Sequence, residues 1–177
     1  MSTNKGKDGE MRVLRLITHI VQKEENCDVT RHTNTNTADS GADLVLEHPH
    51  GFLPHLGSIA SGEDNNQLPD LSDAKKVKTR IDVKTTESKL GPDVVNKFAG
   101  DIRRNPDCDG HVLMGGIDLS DQAKSDFKEI QDRQAEVGKT VVYIPNSGIE
   151  NLEQHYTALP KSSSGDEDQT QQGAAVG

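Results

Sequence analysis

The sequence predicts an α/β protein of three layers, a sheet held between two sets of helices, and three observations carry that expectation. Around Val77 to Thr86, apolar Val77, Ile81 and Val83 are set against polar Arg80, Asp82, Lys84 and Thr86, the period-two pattern of a half-buried strand. Upstream, Val13, Leu14, Ile17, Ile20 and Val21 recur at helical spacing. Downstream, apolar runs at 111–114 and 140–144 flank a helical pattern at 119–137, the spacing of a crossover between two parallel strands.

Each element has its own signals. The first helix is expected from Asp8, as a cap, to about Gln22. Strands follow at 27–32 and 42–47, separated by a turn at 33–41 rich in Thr, Asn and Ser. The stretch 48–76 holds Pro49, Pro54 and Pro69 and reads as a loop insertion. Beyond the strand of Asp82 and Lys84, Gly91-Pro92-Asp93 opens a helix. Val94, Val95, Phe98, Ala99 and Ile102 form its buried stripe, Lys97, Asp101 and Arg104 its solvated side, and Asn105-Pro106 its stop. The helix at 119–137 turns Ala123, Phe127 and Ile130 inward, and Ile149, Leu152, Tyr156 and Leu159 suggest a last short helix.

At 177 residues the chain suits one domain over 1–160, followed by a disordered, polar tail at 161–177. Apolar content is 31%, with no Trp, so the expected core is aliphatic and modest. Cys27 and Cys108 share no C-x-x-C spacing and are too few for a disulfide framework, which fits reduced thiols in an intracellular protein. No run approaches the ~18 apolar residues of a membrane span, so a soluble, cytoplasmic protein is expected. The formal net charge is −9, yet Lys75 to Arg104 holds nine basic residues and four acidic ones. A basic segment inside an acidic chain suits phosphate binding with limited non-specific affinity.

Asp82 and Lys84 sit two apart on one strand and so project from one face. For an isolated Asp-x-Lys the ordinary reading is a salt bridge along the strand. The wider pattern changes that. Asp43 opens an apolar run after Ser40-Gly41, and Glu10 lies on the apolar stripe of the first helix, one turn before Leu14. Glu10 either favours the positive end of the helix dipole or reaches the site from beneath, and the later acids favour the second. His48, His50 and His55 fall within eight residues, but their spacing matches no zinc module and no thiolate follows, which favours substrate contact over zinc.

The order Glu10, Gly41-x-Asp43, Asp82-x-Lys84 resembles the PD-(D/E)xK nuclease superfamily, most closely its Mrr-like restriction endonucleases. The resemblance covers about residues 7 to 145 and takes in Gly91 to Gly100, Gly110 to Met114 and the helix start at Asp121. It implies a restriction-endonuclease-like core of helix, three strands, helix and strand, with a helix, strand and helix appended. Two departures stand out: Ala42 replaces the usual Pro, and Asp82 stands where Mrr-like members carry Gln or Glu. By resemblance, Asp43, Asp82 and Glu10 hold Mg²⁺, with Mn²⁺ as substitute, the Val83 carbonyl assists, and Lys84 activates water. Cleavage then leaves 5′-phosphate and 3′-hydroxyl ends on DNA. Lys97, Arg103, Arg104 and Thr85 are the candidate phosphate contacts. Two alternatives stand beside this: a Holliday-junction resolvase acting as a homodimer, and a non-catalytic binding or assembly module on the same fold. The resemblance also admits a protein partner that supplies specificity.

Overall fold

The computed structural model describes residues 5–32, 43–63 and 69–157. The expected turn at 33–41, Leu159 and the tail at 161–177 lie outside them. Among the described residues ten elements run in the order α1 (Lys5–Lys23), β1 (Asp28–His32), β2 (Asp43–Pro49), α2 (Phe52–Ala60), β3 (Lys76–Lys84), α3 (Pro92–Arg104), β4 (Gly110–Gly115), α4 (Asp121–Glu136), β5 (Thr140–Ile144) and α5 (Asn146–Thr157). The strands form one sheet in sequence order, antiparallel from β1 to β3 and parallel from β3 to β5. The protein is therefore α/β, a mixed five-stranded sheet with helices on both faces.

Each face has its own core. Val13, Leu16, Ile17 and Ile20 of α1 pack with α2 and α5 against Leu44, Leu46, Ile81, Val112 and Ile144. On the other face Val95, Phe98 and Ile102 of α3 and Ala123 and Phe127 of α4 cover Leu113 and Val141. Phe98 and Phe127 stack at 5.8 Å between ring centroids, which ties α3 to α4. Ser120 caps α4 by accepting from the Ala123 N–H at 3.3 Å.

Three expectations need correction. The stretch 48–76 is not a plain loop, because α2 buries Phe52, Leu53, His55, Leu56, Ile59 and Ala60. Pro54 falls in its first turn, where a missing N–H costs nothing, and Gly51 enters it at φ 97°. Asp8 is not a cap: α1 starts at Lys5 and Asp8 lies in its first turn, near the positive end of the dipole. Asp101 does not face solvent, for reasons given below. Among the described residues no helix is long and apolar enough to cross a membrane. Cys27 and Cys108 are free thiols, and burial pushes Cys27 up to about 11.

Candidate functional site

The candidate residues gather around the middle of the sheet. β3 pairs with β2 on one side and β4 on the other, so it is central rather than half-buried, and Thr79 to Val83 are all buried. Ile81 and Val83 enter the core under α1. The alternate row of Lys78, Arg80, Asp82 and Lys84 therefore faces the α3 side. Asp82 is 4% exposed, and its Oδ1 stands 3.4 Å from Lys84 Nζ. A carboxylate so withdrawn from water is held as an anion only through charge and hydrogen-bond partners.

The backbone brings Asp43 opposite this pair, whereas Glu10 is carried by α1, which packs against the other face of the sheet. Continuing the β2–β3 register from Leu44 opposite Ile81 sets the backbone of Asp43 across from that of Asp82; the side chain of Asp43 lies outside the described residues. α1 rests on β3 with α5 to one side and β1 to the other. Arg12 leaves α1 toward α5, where it pairs with Glu153. At roughly 3.6 residues per turn, Glu10 and Arg12 depart from opposite flanks of the buried stripe. Glu10 is thus on the flank that faces β1 and β2, the side from which β2 begins.

Among the described residues the α3 side of the sheet is only partly covered. The second core draws nothing from β1 or β2, and on this face Asp28 and Thr30 are exposed while Val45 and Glu47 are half-buried. β1, β2 and the polar row of β3 therefore form the floor of a trough, and α3 forms its wall. The wall is fixed by Asp101, whose Oδ2 lies 3.5 Å from Nη2 of the buried Arg80 and whose Oδ1 also binds Arg104. This is why Asp101 is drawn inward. Helical spacing puts exposed Lys97 and Arg104 on the Asp101 flank and Arg103 on the opposite one, toward α4. Two of the three expected phosphate contacts on this helix thus share the trough.

A separate cleft of about 700 Å³ opens on the α1–α5 side of the same strand end. Arg12, Lys84, Thr86, Asn146 and Glu150 are among its lining residues, and so is Thr85, the remaining expected contact. Lys84 borders this cleft and also reaches Asp82.

The sequence matches no protein-family model and no curated protein.

Two of the three histidines have structural surroundings, and His50 is exposed. His48 Nδ1 lies 2.9 Å from the Pro49 carbonyl, which can only accept, so Nδ1 carries the proton and Nε2 accepts from the Thr79 hydroxyl at 2.6 Å. Burial lowers the pKa of His48 and of His55, which packs in α2 beside Phe52. Among the described residues no three His, Cys, Asp or Glu side chains gather as a metal set.

Two glycines and one acid matter to the site beyond what the sequence suggested. Gly115 sits at the end of β4 opposite Lys84, at φ 119°, and a Cβ there would overlap the Lys84 carbonyl. Its missing side chain sets the backbone position of Lys84. In α1, a Cβ at Gly9 would overlap the Thr85 methyl, so this glycine lets the helix approach the strand end. A glycine one residue before Glu10, inside a helical pattern, was the available signal for the second. Asp101 could have been suspected only from its helical spacing with Arg104.

Proposed function

We propose that this protein is a metal-dependent DNA endonuclease of the PD-(D/E)xK superfamily, nearest in its site pattern to the Mrr-like restriction endonucleases. The observation that carries the reading is the buried Asp82 carboxylate 3.4 Å from Lys84 at the end of the central strand, with the backbone of Asp43 across from it. The order α1, β1, β2, β3, α3, β4 is compatible with the superfamily core, with α2 interposed between the second and third strands.

By the resemblance, carboxylate oxygens of Asp82 and Asp43 and the Val83 carbonyl would hold a hard divalent cation, and Glu10, carried by α1 on the other face of the sheet, would have to join them at the strand end. Mg²⁺, or Mn²⁺ in its place, supplies charge relief on the phosphate and acidifies a water when bound. The chain's own groups do the rest. Lys84 is tethered beside Asp82, where its ammonium orients the attacking water and meets the negative charge that grows on the phosphate. Gly115 keeps the Lys84 backbone in register. Lys97 and Arg104 grip the DNA backbone along the trough and carry no sequence information.

Calorimetric titration with Mg²⁺ and Mn²⁺ tests the ligand set. The native protein is expected to bind either ion, and Asp43→Ala to bind at least about tenfold more weakly. Equal affinities in the two proteins would remove Asp43 from the site.

A further inference from the structure

We infer that the cleft beside Lys84 receives a single unpaired nucleobase adjoining the scissile phosphate, so that the protein acts where DNA strands separate; this deepens, and rests on, the nuclease reading above. The first observation is placement. The cleft lies on the α1–α5 side of the end of β3, the trough lies on the α3 side, and Lys84 belongs to both. A DNA strand held in the trough with its phosphate at Lys84 has its next nucleotide at the mouth of the cleft. The second is size. About 700 Å³ falls in the range of sites that take one small organic ligand.

The third observation is chemistry. The carboxylates of Asp8, Glu87 and Glu150 stand on the cleft's exposed rim, while Arg12 on the same side is engaged with Glu153. Such a rim repels phosphate and accepts N–H groups. A ligand that satisfies both Lys84 and this rim is anionic at Lys84 and rich in N–H donors inside, which describes a nucleotide with an amino-bearing base such as cytosine or guanine. Carboxylates can take those donors only from a base whose pairing edge is free, so the base enters unpaired. The unpairing cost is least where the strands are already apart.

The test uses the full chain with Mg²⁺ and two DNAs of one sequence, a continuous duplex and a splayed arm with an unpaired cytosine at the branch. The splayed arm is expected to be cut about tenfold faster, and the double variant Glu87→Gln, Glu150→Gln to bring that ratio toward one. A second readout needs no cleavage: the native protein, without a divalent cation, is titrated with the same DNAs carrying a fluorescent base analogue at the branch, and emission is expected to change for the splayed arm alone. Equal cutting of both DNAs, a ratio the double variant leaves untouched, or unchanged emission would overturn the cleft assignment while leaving the nuclease standing. If neither DNA is cut, the nuclease reading and the inference fall together.

Discussion

His111 is wholly buried in β4, opposite Arg80 in the register. Burial, aided by the charges of Arg80 and Lys139, lowers its pKa from 6.5 to about 4, and burial lowers His48 and His55 as well. Since the folded pKa lies below the unfolded one, the unfolded chain binds more protons in acid. The stability these rings contribute is therefore full above about pH 6.5 and lost as pH falls from there toward about 4. Urea midpoints measured from about pH 7.5 to about pH 5 should decline in that window, and a flat profile would show that the rings are not buried neutral. At this scale, sequence reading reached Asp82 and Lys84, because two residues on one strand face are a local pattern. It read Gly115-Gly116 as a turn but did not reach the approach of Gly115 to Lys84 or the His48–Thr79 bond, because contact between distant segments leaves no local mark in the chain.

Among the elements, β3 shows how neighbours redefine a strand. Its alternation predicts one wet face, yet as third of five strands it is paired along both edges, and Arg80 on its polar row is buried against α3. Arg80 and Asp101 form the link. Asp101→Ala leaves a buried guanidinium short of one anion and should cost about 3 kcal/mol, whereas Arg104→Ala, at the exposed end of the same carboxylate, should cost less than about 1 kcal/mol. Urea denaturation of both variants decides it; equal losses would mean that the bridge does not hold α3 to the sheet. The helix α2 was hidden for a different reason. Phe52, Leu53, Leu56, Ile59 and Ala60 have helical spacing, but two prolines and a glycine around their start imitate a loop. Only packing against α5 and β5 makes this short segment a helix worth forming.

For the whole molecule, the uneven charge of the sequence acquires a direction. The basic segment is visible in the chain, but only the fold sorts it, setting Lys97 and Arg104 on the trough flank of α3 and Arg103 on the other. With a net charge of −9, attraction to DNA should be local and sensitive to salt. Lys97→Ala and Arg104→Ala should each lower the slope of log affinity against log salt by about one, with Arg103→Ala changing it less. Fluorescence anisotropy with a duplex oligonucleotide measures this, and three equal effects would contradict the trough. The layered α/β form was legible because amphipathic periods repeat over long stretches. The trough was not, because it depends on how far α3 and α4, among the described residues, reach across the sheet.

The most direct measurement of the central claim is cleavage of supercoiled plasmid in Mg²⁺ by the native protein beside Lys84→Ala, with thermal melts to establish that both are folded. The native protein should nick and linearise the plasmid, and Lys84→Ala should be slower by about a hundredfold or more at an unchanged melting temperature. An intact plasmid under the folded native protein, or equal cutting by the two, would contradict the account.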